Sequence, residues 1–187
     1  MSVSFNAPVV VVLASGRGQR FTASGGQGSK LQALLAGRPV LEWTLQAVRE
    51  SGLRWHLENA GHAGMGDSIA AGVAATRDAG GWLILPGDLP LVQPESLRQV
   101  AQALTGHAVV LPSYLGQRGH PVGFGAGYRD ALLALTGAEG AAVLVRDALR
   151  QGNALHLSLT DAGIVTDVDT IEDLARAERV LAGAGDA

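Results

Sequence analysis

A short apolar run over residues 9–14, Val-Val-Val-Val-Leu-Ala, is followed at once by a polar stretch over 15–29 that holds five glycines. A β-branched run of that length between Pro8 and Gly16 reads as a strand covered on both faces, the kind found in parallel sheets. A glycine-rich turn after such a strand lets backbone N–H groups come close to an anion. Together these features call for an α/β fold that binds its ligand beyond the carboxyl ends of its strands.

The rest of the chain repeats the alternation. Pro39 opens a helix that carries Leu41, Leu45 and Val48 at helical spacing until Gly52. A short strand is expected over 55–58, and Asp67-Ser68 can cap a helix running through Ala79. Residues 82–86 form a second buried strand, and Pro94 opens a helix through Leu104. Strands are expected over 108–111, 122–124, 154–159 and 164–168, with helices near 128–135 and 141–150. Thr170 can cap a last helix, with Glu172 and Asp173 placed favourably for its dipole. Strands alternating with helices predict one α/β domain over residues 1–187 with a mostly parallel sheet.

Composition narrows the chemistry. The chain is 47% hydrophobic and 17% charged, which argues against disorder. It has no cysteine, which excludes a disulfide scaffold, a thiolate nucleophile and a Cys-ligated zinc site. Its net charge of −3, without a basic cluster, offers no footprint for nucleic acid. The longest apolar run is far short of the ~20 residues of a membrane span, and no basic stretch precedes it. A cytoplasmic protein is expected. Glycine occurs 26 times, and Lys30 is the single lysine.

Five short motifs can carry chemistry, and each has an ordinary structural reading beside the functional one. Leu13-Ala14-Ser15-Gly16-Arg17-Gly18-Gln19-Arg20, closed by Lys30, can cradle di- or triphosphate oxygens, or be a surface loop with common charges. It is neither a P-loop nor the dinucleotide fingerprint, since Phe21 stands where the third glycine belongs. Asp88, in Gly87-Asp88-Leu89-Pro90 after the second buried strand, can hold Mg²⁺ against phosphate, or simply turn the chain. Asp167 and Asp169 alternate on an extended segment. Asp169 or Thr170 can cap the following helix, but two carboxylates on one face need a cation or hydrogen bonds to offset their repulsion. Gly64-Met65-Gly66-Asp67-Ser68 can receive a ribose or base edge, or be a tight turn and N-cap. In Arg118-Gly119-His120-Pro121-Val122, His120 can meet a substrate, or be a structural histidine held extended by the proline. His56, His62, His107 and His156 lack a metal-like spacing.

In this order the five motifs resemble those of the molybdenum-cofactor nucleotidyltransferases, of the nucleoside-triphosphate transferase class, across nearly the whole chain. The resemblance implies a three-layer Rossmann-like fold with a mostly parallel mixed sheet, one βα unit of which is shortened near 52–59. It also implies transfer of CMP from CTP to the phosphate of molybdopterin, with release of pyrophosphate and dependence on Mg²⁺. On that reading Leu13, Ala14, Ser15, Gly16, Arg17, Gly18, Gly64, Met65, Gly66 and Ser68 bind the nucleotide. Arg20 and Lys30 hold its β- and γ-phosphates. Asp88 and Asp169, with Asp167 nearby, hold the metal, and Arg118 and His120 face the acceptor. Ser15, small but not glycine, favours CTP over GTP. The implied partners are the nucleotide, a molybdopterin-type acceptor and a molybdoenzyme apoprotein. Two alternatives stay open: a nucleotidyltransferase with another substrate pair (GTP with molybdopterin, or a sugar phosphate or phospholactate as acceptor), and a non-catalytic cofactor-binding maturation partner, which the shortened unit would suit.

Overall fold

The structure is a computed structural model that describes residues 6–16 and 18–184. Among these residues are nine strands: β1 (Val9–Leu13), β2 (Leu34–Leu35), β3 (Arg38–Pro39), β4 (Arg54–Glu58), β5 (Gly81–Pro86), β6 (Val109–Tyr114), β7 (Gln117–Arg118), β8 (Val122–Gly125) and β9 (Ala154–Ser158). Seven helices accompany them: α1 (Gln19–Ala23), α2 (Val40–Glu50), α3 (Met65–Ala75), α4 (Pro94–Ala103), α5 (Arg129–Leu133), α6 (Ala142–Arg150) and α7 (Ile171–Ala184). Seven of the strands form one sheet in the order β4-β1-β5-β8-β6-β7, with β9 paired to β6. The β4, β1 and β5 pairings and the β6–β9 pairing are parallel, whereas β8 runs antiparallel to both neighbours. The shortened βα unit leaves β4 at the edge of the sheet; no described strand pairs with its outer side.

The alternation along β1 accounts for the three layers. Val10 and Val12 face one way and pack with Leu45 and Val48 of α2 and Leu97 and Val100 of α4. Val9, Val11 and Leu13 face the other way, against Ile69 and Val73 of α3, Leu132 of α5 and Ala148 of α6. Because both faces are covered, every residue of β1 is buried. Burying a valine or leucine side chain is worth roughly 1.5–3 kcal/mol, so this strand is a main source of the driving force. A smaller cluster of Leu35, Val40, Val168 and Ala177 ties α7 to the β2–β3 ribbon.

The polar stretch over 15–29 contains a short helix. Gly18 adopts φ 58° at the start of α1, and Phe21 is buried there as an anchor. The expected strand over 164–168 does not form. Residues 162–165 make a 3-10 turn, and the backbone hydrogen bonds that a ladder would use go to loops. Ile164 O accepts from His120 N, and Val168 N donates to Asp88 O, both at 2.9 Å.

Helix α3 begins at Met65 and ends at Ala75, so Asp67 and Ser68 lie inside it rather than capping it. The Asp67 carboxylate instead accepts from Gly137 N at 3.1 Å. The two glycines of this motif serve close packing. A β-carbon on Gly64 would strike the Gly137 carbonyl, and one on Gly66 would lie 2.6 Å from the Thr136 carbonyl oxygen. Gly66→Ala is therefore expected to cost roughly 1–3 kcal/mol in urea unfolding, and an unchanged midpoint would mean that these two segments part freely.

Candidate active site

Parallel register brings three loops to one edge of the sheet. Leu13, the last residue of β1, pairs with Glu58 at the end of β4 and with Pro86 at the end of β5. The segments that follow, 14–16, 59–64 and 87–89, therefore emerge side by side at the carboxyl ends of the strands. Gly87 N donates to Leu13 O at 2.9 Å, and Thr44 Oγ1 donates to Gly87 O at 3.0 Å. A β-carbon on Gly87 would come 2.8 Å from a methyl of Leu41 and 3.1 Å from Leu13 O, so a larger residue here would have to displace the Leu41 side chain beside Asp88. From farther along the chain, Val168 N is bonded to Asp88 O, which lays Asp167 and Asp169 beside Asp88.

Lys30 joins these elements. Its Nζ is 2.5 Å from Asp88 Oδ2 and 2.5 Å from Asp169 Oδ1, with the lysine side chain only 12% exposed. Arg20, largely exposed, reaches Asp169 Oδ2 at 2.8 Å. Asp169 is thus the carboxylate that faces the cations. The helix cap is made by its neighbours: Thr170 Oγ1 accepts from Asp173 N at 3.1 Å, while Asp173 accepts from the backbone of Thr170 and Asp169.

Charge states follow from these contacts. Burial works against the Lys30 ammonium, but Asp88 and Asp169 overcome it and raise its pKa. Burial likewise opposes the charge on Asp169, and Lys30 and then Arg20 hold its carboxyl below the ordinary range. Asp167 goes the other way, pushed up by burial and by Asp169 and Asp88. His120 is buried and its pKa is lowered by that burial, against the pull of Asp88 and a backbone hydrogen bond at Ile84.

Two cavities meet at this cluster. The larger, about 480 Å³, is lined by Leu13, Ser15, Gly16 and Gly18 from the first loop, with Arg20 and Lys30. Its other walls include His62, Gly64, Met65, Ser68, Asp88 and Asp169. The smaller, about 370 Å³, is lined by Arg118, His120, Asp167 and Ile164, and it shares Lys30, Met65, Asp88 and Asp169 with the first. Both volumes suit small-molecule sites. Ser15 Oγ and Ser68 Oγ are 2.6 Å apart, which clasps the first loop to α3.

Most of the residues singled out from sequence are thus brought together, with exceptions. Ala14 does not line either cavity; its N–H is spent on Glu58 O at 2.8 Å. Gly66 is buried against Thr136 and lines neither. Arg17 lies outside the described residues. Asp167, Arg118 and His120 border the smaller cavity only. Sequence reasoning gave no role to Glu58 and His62: His62 lines the larger cavity, and the buried Glu58, which lines neither, lies 3.0 Å behind its Nε2. A carboxylate ending a strand next to β1 was the available signal.

The donor set can be tested for a divalent cation. No three His, Cys, Asp or Glu side chains among the described residues form a metal cage by themselves. However, Asp88 Oδ1 is buried without a hydrogen-bond partner. One or two carboxylates, completed by phosphate oxygens and water, is how Mg²⁺ is commonly held. The aspartates fit such an ion when it arrives with a phosphorylated ligand.

The profile of the MobA-like NTP transferase domain matches residues 46–155, more than half of the chain. The chain belongs to that family. The match begins after Lys30 and ends before Asp167. Among curated proteins the chain is similar to the bifunctional protein GlmU of Xanthomonas oryzae pv. oryzae (strain MAFF 311018), with 30% identity over 146 residues. That alignment covers 65% of this chain but 30% of that protein, so the chain spans under a third of this relative's length.

Among solved structures it is similar to a nucleotidyl transferase from Methanothermobacter thermautotroptrophicus (Mth528), with TM-score 0.80, 21% identity and 96% and 99% of the two chains covered. It is also similar to Rv0371c from Mycobacterium tuberculosis H37Rv, with TM-score 0.77, 23% identity and 93% and 98% covered; that protein has also been solved in complex with manganese. A third is the molybdopterin-guanine dinucleotide biosynthesis protein A from Archaeoglobus fulgidus, with TM-score 0.64, 19% identity and 94% and 99% covered. At these identities the likeness is one of fold. Among the described residues no helix is long and apolar enough to cross a membrane.

Proposed function

We propose that this chain is a metal-dependent nucleotidyltransferase that moves CMP from CTP onto the terminal phosphate of a molybdopterin-type acceptor and releases pyrophosphate. One observation carries the reading: Lys30 stands between Asp88 and Asp169 in the wall shared by two cavities. The larger cavity, with its glycine turn, Arg20 and Lys30, suits a nucleoside triphosphate, and the smaller one suits the acceptor, beside Arg118 and His120. A reaction between two phosphorylated molecules needs such a shared wall, where charge is neutralised and the reacting atoms are held in line.

In the transfer, an oxygen of the acceptor phosphate bonds to the α-phosphorus of CTP. The bond from that phosphorus to the bridging oxygen breaks, and pyrophosphate leaves with the electron pair. Lys30 and Arg20 hold the β- and γ-phosphates and offset the charge that gathers on the leaving group. Asp88 and Asp169, with Asp167 nearby, would hold Mg²⁺, which when bound supplies neutralising charge at the α-phosphate. No side chain is required to form a covalent intermediate.

A panel of nucleotides and acceptors, scored by pyrophosphate release with Mg²⁺ present, tests this. The expected best pair is CTP with the molybdopterin-type acceptor. A faster reaction with GTP would reassign the base, and a faster one with a sugar phosphate or phospholactate would reassign the acceptor. No release from any pair would defeat catalysis and favour a cofactor-binding maturation partner, in line with the shortened βα unit.

A further inference from the structure

Glu58 closes the edge strand β4 with its side chain buried. Its Oε1 accepts from Ala60 N and lies 3.0 Å from His62 Nε2; its Oε2 lies 3.3 Å from His56 Nε2. Burial opposes its charge, but the Ala60 N–H and the two imidazoles hold its carboxyl below the usual range. An ionised carboxylate can only accept hydrogen bonds. Nε2 of His62 therefore carries the proton, and in the neutral ring Nδ1 is left as an acceptor. His62 is 27% exposed and lines the larger cavity.

That cavity is polarised across the sheet. Lys30, Asp88 and Asp169 gather on the β5 side of β1, whereas His62 follows β4 on the opposite side, and β4 and β5 lie about 10 Å apart at two strand spacings. A triphosphate seated at the cationic end leaves its base toward His62. We infer that Glu58 and His62 form a nucleobase-reading pair, in which the imidazole held by the carboxylate accepts a hydrogen bond from the exocyclic amino group of cytosine. Uracil presents a carbonyl oxygen at the same position, so two acceptors would face each other and UTP is disfavoured. This assignment rests on the nucleotidyltransferase reading and adds a residue that selects the base.

Equilibrium binding of CTP, UTP and a cytidine triphosphate analogue lacking the 4-amino group, each with Mg²⁺, tests it in the parent protein and in His62→Ala. Inorganic tripolyphosphate serves as the ligand without a base. The parent is expected to favour CTP over the other two nucleotides by about tenfold, the scale of one net hydrogen bond. His62→Ala is expected to bind all three alike and to keep its affinity for tripolyphosphate. Glu58→Gln, if circular dichroism shows it folded, should narrow the CTP preference in the same direction. A CTP-to-UTP ratio unchanged in His62→Ala, or a parent protein that favours UTP or GTP over CTP, overturns the pair while leaving nucleotide binding intact. A parent protein that binds none of these ligands defeats the underlying reading as well.

Discussion

Replacing Asp88 with alanine is expected to lower pyrophosphate release by about a thousandfold, roughly 4 kcal/mol of transition-state stabilisation, while melting should shift by only a few degrees. The two outcomes part because main-chain bonds hold the Asp88 backbone. Gly87 N is bonded to Leu13 O, and Asp88 O accepts from Val168 N. Truncating the side chain leaves those bonds in place. It removes one acceptor from Lys30, which keeps Asp169, and it removes a buried oxygen that has no partner. What is lost is the negative charge at the wall shared by both cavities. Asp88→Asn, which keeps the size and drops the charge, should lose nearly as much activity. Turnover near the parental rate in either variant, with the fold verified by circular dichroism, would sink the assignment.

Lys30→Met should have the second largest effect, and it should appear in two measurements. In turnover, loss of the ammonium from the triphosphate end is expected to cost about a hundredfold or more, the range seen for removing one fixed electrostatic group. In stability, Asp88 and Asp169 lose their common cation. Two oxygens each 2.5 Å from the same nitrogen lie within about 5 Å of each other, so without the ammonium their like charges repel unscreened. Asp169 is held low by Lys30 and Arg20, so its contribution is present above the ordinary carboxylate range and fades as pH falls through its lowered pKa. Lys30 is held high, so its contribution is present below the ordinary lysine range and fades as pH rises through its raised pKa. The deficit of Lys30→Met relative to the parent should therefore be greatest between about pH 5 and 9, and it should shrink in acid, where Asp169 becomes protonated. Urea unfolding at several pH values measures it, and a deficit independent of pH would mean that Lys30 acts only by packing. Since Lys30 is the single lysine, an amine-selective reagent reports on it and the N-terminus alone. CTP with Mg²⁺ should change that labelling.

Several elements were readable because their signals are local. The β-branched run of β1 and the run ending in Pro86 read as strands because they are too short for a buried helix and are bounded by Gly and Pro. The Asp-Thr-x-x-Asp segment was readable as a helix start, because a cap is built from residues three apart. Other signals misled. Residues 164–168 have the composition of a strand, yet their backbone is claimed by loops, and Gly163 presses so closely on the Leu91 carbonyl that a β-carbon would collide with it. Gly66 suggested a nucleotide edge but packs on the Thr136 carbonyl and lines neither cavity, whereas Gly64 both packs on Gly137 and lines the larger one.

By itself, the sequence determined the layered α/β arrangement, the loops that end its central strands and the short list of charged residues available for chemistry. Periodicity and turn chemistry act over a few residues, so they survive without knowledge of the rest. Only the tertiary structure decided that Lys30 meets Asp88 and Asp169, which lie 58 and 139 positions away in sequence, and that His62 turns toward the same cavity under the hold of Glu58. A glycine-rich loop carries no distance information along its length. Its path is set by where Phe21 is buried and by which carboxylates can neutralise an ammonium withdrawn from water.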